Sequence, residues 1–230
     1  MLKRTRGIVL GSLKFKETSI IVKVFTEAYG TQSFIINGVR SSRSKGKAAL
    51  YQPLSLLDLI IYYKEGKGLL RISEAKLTTP FQEIPYHPVK RTIGIFLTEF
   101  FAKVLKEEEV NSDLFEFIFH AIAYFDHQQK GIENFHLQLL LKSAVHFGYG
   151  PQADLDFVQQ LVDAGMHFTA LENEEKFIEQ LIKQPFGTEI KISSSYRREI
   201  LDQIIKFYSV HLQEKLEIKS IDVLKTVLKA

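Results

Sequence analysis

Short apolar runs separated by turn residues make up the first 80 residues. The runs are rich in Val, Ile, Phe and Thr, which favour β-strands, and Gly30 can supply the positive φ of a hairpin turn. This pattern predicts five strands, at residues 5–13, 19–25, 31–36, 53–63 and 68–77. Five strands with one longer connection, between the third and the fourth, favour a closed barrel of the OB kind. An open five-stranded sheet or an SH3-like barrel would give nearly the same pattern.

The pattern changes after a proline-marked stretch at residues 79–88, where apolar residues begin to recur every three or four positions. From Val89 onward this spacing predicts an amphipathic helix that ends in the acidic run at 107–109. Asn111, Ser112 and Asp113 offer capping oxygens to a second helix. Further helices are predicted at residues 135–147, 155–162, 174–182, 196–212 and 221–228, with an extended segment at 166–171. The predicted fold class is α+β with segregated parts: an N-terminal five-stranded OB-type β-barrel domain, 1–80, followed by an all-α helical domain, 81–230.

Positive charge is concentrated in the strand-rich part of the chain. Residues 1–80 contain 14 Lys and Arg against five Asp and Glu, a net charge of +9, whereas the whole chain carries +3 and the other 150 residues therefore −6. Four of the cations, Arg40, Arg43, Lys45 and Lys47, lie among Ser and Gly residues with no acid between them. A flexible cationic loop beside a barrel can hold a polyanion.

These four cations are our first candidates for nucleic-acid contact, because their setting of Ser and Gly indicates exposure. We add Lys14, Lys16 and Arg4, three other cations of the basic N-terminal part. Single strands are also held by flat rings on which bases stack. For each ring in this region a place in the barrel core is at least as expected as a place at the surface; the candidates are Phe15, Tyr29, Phe34, Tyr62 and Tyr63.

No motif of a catalytic or cofactor site occurs in the sequence. The absence of cysteine excludes disulfides, thiol nucleophiles and Cys-based zinc or iron–sulfur sites. Neither Gly-Lys pair, at 46–47 or 66–67, has the flanking residues of a phosphate-binding loop. The spacing of His120, His127 and His136 does not place two rings on one helical turn, and there is no Gly-x-Ser-x-Gly nucleophile elbow. We therefore predict a protein that is not an enzyme and has no cofactor.

We also predict a soluble protein without a signal peptide or a membrane span. The basic N-terminus precedes an apolar stretch that Gly11, Ser12 and Lys14 interrupt early. The strongest apolar run, 54–63, contains Asp58 and has about half of the roughly 20 residues that a membrane helix needs.

Several segments carry a resemblance to a known family. They are ETSIIVKVFTEAYG, NGVRSSRSKGKAALYQPLSLLDLIIYY and LLRISEAKL, together with the initial strand RGIVL and the C-terminal IKSIDVLKTVL. With these segments the chain resembles the bacterial RecO family of DNA repair and recombination mediator proteins. The match covers both ends of the chain and is most specific in the first 80 residues.

The resemblance implies a protein that binds single- and double-stranded DNA without chemistry. It implies annealing of complementary strands coated with single-stranded DNA-binding protein, whose C-terminal tail docks on the helical domain. It also implies work with RecR, and in many bacteria RecF, to load RecA. The family's glycine-and-basic segment corresponds here to residues 38–47, which assigns Gly38, Arg40, Arg43, Lys45 and Lys47 to DNA. Many members carry a four-cysteine zinc module after a Gly-Tyr-Gly-Pro-like stretch; this chain has that stretch at 148–151 and no cysteine.

The leading hypothesis is therefore a DNA-binding mediator in the cytoplasm, associated with the nucleoid. A protein–protein adaptor with an incidental basic loop is the second hypothesis, and an OB-fold protein that binds RNA is the third.

Overall fold

Five strands precede all the described α-helices. The computed structural model describes residues 1–39, 46–66, 68–107, 109–149, 159 and 171–229, without the side chains of 171–174. The strands are β1 (Leu2–Phe15), β2 (Ser19–Thr26), β3 (Gly30–Ile36), β4 (Leu56–Tyr62) and β5 (Leu70–Leu77). The helices are α1 (Pro88–Val104), α2 (Ser112–His127), α3 (Phe135–His146), α4 (Leu171–Lys183), α5 (Ser194–Leu212) and α6 (Ile221–Val227), with short 3-10 helices at Lys47–Tyr51 and Ile132–Asn134.

The five strands close into a barrel in the order β1-β2-β3-β5-β4, with β4 paired to β1. All pairs are antiparallel except β3 with β5, which are joined only at Phe34↔Leu70 and Ile35↔Arg71. This closed barrel followed by helices confirms the predicted fold class. The alternative prediction of an open five-stranded sheet is wrong. Gly30 has a φ of 61° in the β2–β3 hairpin, as predicted.

Strand β1 is longer than the segment predicted at 5–13 because it pairs with two other strands, β4 and β2. Its first half pairs with β4 and its second half with β2, and a bulge between Val9 and Gly11 bends it from one partner to the other. Gly7 allows β1 to approach its neighbours closely, since a Cβ there would lie 2.6 Å from Val24 Cγ1 and 2.9 Å from Leu59 Cδ1. The barrel interior is filled by apolar side chains, among them Val9, Val22, Val24, Phe34, Leu57, Leu59, Ile61 and Leu70.

The helices begin where capping groups permit. Of the three predicted capping residues, Asn111 accepts the Leu114 N–H and starts α2, and the other two lie in the first turn of the helix. The expectation that the first helix continues into the acidic run 107–109 is wrong. The backbone becomes extended at Leu105 (φ −82°, ψ 115°), and Glu107 forms a parallel bridge with Thr31 of β3. Helix α4 extends the segment predicted at 174–182. The predicted helix at 155–162 and the extended segment at 166–171 fall almost wholly outside the described residues, which there include only Gln159.

The barrel and the helices share one apolar core. Ile8, Leu10 and Phe25 of the barrel belong to the same cluster as the buried phenylalanines of α1, α2 and α3, and the Phe25 ring meets Phe115 edge-on at 5.5 Å. Burial of this shared surface fixes the barrel against α1 and α2. None of the helices in the described part of the chain has the length and apolar composition of a membrane span.

Arg6 clamps the barrel to α2. Its guanidinium donates two hydrogen bonds of 2.9 Å to the Glu27 carboxylate and one to Glu116 of α2, and it lies 5.0 Å from the centroid of the Phe119 ring. The hydrogen bonds to Glu27 and then to Glu116 raise the pKa of Arg6, and Arg6 in turn lowers the pKa of Glu27. One side chain thereby connects β1, the β2–β3 turn and a helix.

We expect Arg6→Met to lower the free energy of unfolding by about 1–2 kcal/mol, because a bidentate charged pair is lost at a partly exposed site. Urea titration followed by circular dichroism would measure the loss. Arg4→Met, at an exposed position two residues away, is the matched control and should change stability by less than about 0.5 kcal/mol. Equal losses of stability in the two variants would contradict the role of Arg6 in holding the barrel against α2.

Candidate nucleic-acid interface

The basic loop leaves the barrel after β3 and returns before β4. Arg40, Arg43 and Lys45 lie outside the described residues. Both ends of the loop are described: Gly38 has a φ of 73° and Gly46 a φ of 91°, left-handed conformations that favour glycine. Val39 is buried beside Gly38. Both ends of the loop are thereby held in defined backbone conformations.

Lys47 is the first residue of the short helix Lys47–Tyr51, and its side chain is exposed. Tyr51, at the other end of this helix, is buried in the barrel core, and burial raises the pKa of its hydroxyl. The helix therefore fixes the backbone of Lys47 on the barrel and leaves the ammonium group in solvent.

Lys14 and Lys16 lie at the tip of the β1–β2 hairpin, at the same end of the barrel as Gly38. Lys14 pairs with Ile20, and Ile20 pairs with Ile36 at the end of β3, which places Lys14 about 10 Å from Ile36 at the usual strand spacing. The tip is tied to the residue before Gly38 because the Ser19 hydroxyl donates to Asn37 Oδ1 at 3.0 Å.

A groove of about 550 Å³ joins this end of the barrel to Lys47. Asn37 and Lys47 both line it, as does Arg71, the second residue of β5. Sequence reasoning missed Arg71, because the pattern of the fifth strand shows only that it alternates with apolar residues. Its place beside the loop follows from the parallel pairing Ile35↔Arg71, for which the sequence holds no local signal.

Arg4 belongs to a different surface. It is ten residues before Lys14 on the same strand, about 33 Å along an extended chain and less along a bent one. It pairs with Ile60 and lines a second groove, of about 490 Å³, across β1, β4 and β5. Three cations and three acids line that groove, so that its charge is balanced; they are Arg4, Arg6, Lys76, Glu27, Asp58 and Glu74.

Burial separates the candidate stacking rings. Phe34 is fully buried in the barrel and is not available to a base. Tyr29 and Tyr63 stack on each other, with ring centroids 4.1 Å apart, and Phe15 is partly exposed with the Lys16 ammonium 5.4 Å from its ring centroid. Tyr62 is 52% exposed on the outer face of β4.

The described residues contain no group of three or more His, Cys, Asp or Glu side chains arranged to hold a metal ion. The chemistry that the described barrel end offers is that of cations around a groove, which suits phosphate contact.

Two family models match the chain. The model described as Recombination protein O N terminal matches residues 1–81, and Recombination protein O C terminal matches residues 87–161.

Curated relatives match over nearly the full chain. A protein named DNA repair protein RecO from Flavobacterium johnsoniae is 36% identical over 97% of this chain and 98% of its own length. Proteins of the same name from Bacteroides fragilis and Phocaeicola vulgatus are each 34% identical over 98% of both chains. With these relatives and with both family models matched, the chain belongs to the RecO (recombination protein O) family.

Proposed function

We propose that this protein is a DNA repair and recombination mediator that binds single- and double-stranded DNA. In this role it anneals complementary strands coated with single-stranded DNA-binding protein and helps RecR, with RecF, to load RecA. It acts by binding and not by catalysis, in the cytoplasm at the nucleoid. The DNA-binding part is the barrel domain at 1–80, and the C-terminal tail of single-stranded DNA-binding protein docks on the helical domain at 81–230.

The observation that carries the proposal is the gathering of cations at one end of the barrel. Lys14, Lys16 and Lys47 surround the place where the loop that holds Arg40, Arg43 and Lys45 begins and ends. Cations that neutralise phosphates release counterions, and the resulting affinity is independent of base sequence.

Sequence-independent phosphate contact also supports annealing. Two complementary strands repel each other through their backbones, and a surface that neutralises phosphates on both strands lowers that repulsion. No bond is made or broken in this process, so that it needs no catalytic residue. The relatives named DNA repair protein RecO support the cellular role.

We expect the quadruple variant Arg40→Ala, Arg43→Ala, Lys45→Ala and Lys47→Ala to lose most of the affinity for single-stranded DNA. Fluorescence anisotropy with a labelled oligo-dT strand, titrated in salt, would measure it. The logarithm of the association constant should fall against the logarithm of salt with a slope of roughly −0.7 per neutralised phosphate. Removal of four cations should make the slope less steep by up to about 3.

A variant of the helical part with the same change in charge is the control. Lys191, Lys206, Lys215 and Lys229 are exposed, and their joint replacement by Ala should leave both affinity and slope nearly unchanged. If the wild-type protein binds no DNA at low salt, the adaptor hypothesis becomes the better account. Tighter binding of a matched RNA strand than of DNA would favour the RNA-binding hypothesis.

A further inference from the structure

An exposed aromatic ring lies next to an exposed arginine on the outer face of the barrel. Tyr62 of β4 is paired directly with Arg71 of β5, so their Cβ atoms lie about 5 Å apart on the same face. The preceding residue of each strand, Ile61 and Leu70, points into the core, which directs Tyr62 and Arg71 outward. Leu2 of β1 pairs with Tyr62 from the other side and is 54% exposed.

The structure leaves both side chains without a partner among the described residues. Tyr62 has neither an aromatic neighbour nor a cation over its ring there, in contrast to Tyr29 and Tyr63, which cover each other. Arg71 makes no hydrogen bond or salt bridge within the same part of the chain, whereas Arg6 is bound by two carboxylates. Single-stranded nucleic acid is bound by exposed rings, on which bases stack, and by neighbouring cations, which contact phosphates.

The groove next to Arg71 continues this surface toward Lys47. Its walls are β5 and the short helix Lys47–Tyr51, and Ile35, Leu50 and Ile72 contribute apolar surface. Because β5 pairs with β3 only up to Arg71, its edge from Ile72 onward has no strand partner on this side among the described residues. Lys47 and Arg71 are the two cations that line the groove, and Glu74 is its one acid among the described residues.

We propose that Tyr62, Arg71 and the adjoining groove form a binding subsite for single-stranded DNA. One base stacks on the Tyr62 ring, and Arg71 and Lys47 contact phosphates of the same strand as it enters the groove. The subsite accepts single strands and not duplex, since a base within a duplex is covered on both faces by its neighbours. This inference rests on the proposed DNA-binding function and adds to it a path and residues outside the basic loop.

Stacking can be observed directly because the chain contains no tryptophan. In Tyr62→Trp the new indole is the only one in the protein, and we expect saturating oligo-dT to quench most of its fluorescence. Tyr86→Trp is the control, since Tyr86 is 79% exposed just before α1, and its emission should not change. If anisotropy shows that the Tyr62→Trp protein binds DNA while its emission stays constant, the stacking proposal is overturned.

The role of Arg71 is tested by comparison with a second cation of β5. We expect Arg71→Ala to weaken oligo-dT binding roughly fivefold and to make the salt slope less steep by about 0.7. Lys76→Ala removes an exposed cation from the other end of β5, opposite Asp58, and should change neither quantity. Equal effects of the two variants would overturn the role of Arg71.

A DNA strand without bases separates the contribution of stacking on Tyr62 from that of phosphate contact by Arg71. Tyr62→Leu should weaken binding of oligo-dT at least fivefold and leave binding of the abasic strand unchanged, whereas Arg71→Ala should weaken both. If the basic-loop variant loses DNA binding while changes at Tyr62 and Arg71 have no effect, the subsite fails and the proposed function stands. If the wild-type protein binds no DNA, both fail.

Discussion

Lowering the pH from 7 to 5 should cost the protein about 2 kcal/mol of unfolding free energy through His136 alone. The His136 ring is fully buried on α3, and both of its nitrogens lack a hydrogen-bond partner in the described structure. Phe96 meets it edge-on at 5.9 Å. Burial, and secondarily the positive charge of Arg197, lowers the pKa of His136 from 6.5 to about 3.

The protein loses stability at low pH because the pKa of His136 is lower in the folded protein than in the unfolded chain. Between pH 6.5 and about 3 the unfolded chain binds a proton at His136 that the folded protein does not, so stability is complete above pH 6.5 and falls as the pH decreases through this window. The full loss would approach about 5 kcal/mol, at roughly 1.4 kcal/mol per unit of pKa.

Urea titrations of the wild type and of His136→Leu at several pH values between 7 and 5 would measure the effect. The leucine variant should lose about 2 kcal/mol less than the wild type over that range. His127→Asn, at an exposed position on α2, is the control and should retain the wild-type dependence on pH. Parallel curves for the wild type and His136→Leu would show that His136 is not the group responsible.

Asp126→Ala should be among the most destabilising single substitutions in the chain, at about 3–5 kcal/mol. The Asp126 carboxylate is buried and accepts three backbone N–H groups, those of Gln82 at 2.7 Å, Glu83 at 3.0 Å and Ile84 at 2.8 Å. The substitution leaves the buried Ile84 N–H and the partly buried donors of Gln82 and Glu83 without this acceptor, and an unpaired buried donor is costly.

A buried cation depends on the same arrangement. Lys90 is fully buried, and its ammonium group donates to Glu83 Oε2 at 2.6 Å and to the Asp126 carbonyl at 2.8 Å. Hydrogen bonding from Lys90 lowers the pKa of Glu83. Loss of the Asp126 carboxylate would release the segment that carries Glu83, and the Lys90 charge would then be poorly compensated.

Thermal or urea unfolding would test this prediction. Asp202→Ala removes a carboxylate that pairs with Lys225 and is 56% exposed, and it should cost less than about 1 kcal/mol. Asp126→Asn retains the shape and one acceptor, so it should have an intermediate effect and remain folded where the alanine variant does not. An effect of Asp126→Ala no larger than that of Asp202→Ala would contradict the role of Asp126.

The strands and most described helices could be predicted because their signals are local. Capping at Asn111 and the glycine turn at Gly30 depend on residues within a few positions. The end of α1 could not be predicted, because the bridge between Thr31 and Glu107 joins residues far apart in sequence. Lys90 shows the same limit, since a lysine in a helical pattern indicates exposure, and the Asp126 carbonyl that accepts from its buried ammonium group is 36 residues away in sequence.

The candidate interface was predicted in part. Lys14, Lys16, Gly38 and Lys47 converge because the hairpin tip and the end of β3 meet at one end of the barrel. Arg4, equally basic in sequence, lines the second groove, in which the charges balance.

For this protein the sequence alone determined the class of each element, the excess of positive charge in the first 80 residues and the resemblance to its family. The tertiary structure decided which cations share a surface and which rings are exposed. Only the pairing of β5 with β3 and β4 places Arg71 beside Tyr62 and Lys47. The physical reason is that periodicity reports which face of an element is buried, whereas closure of the barrel sets which exposed faces become neighbours.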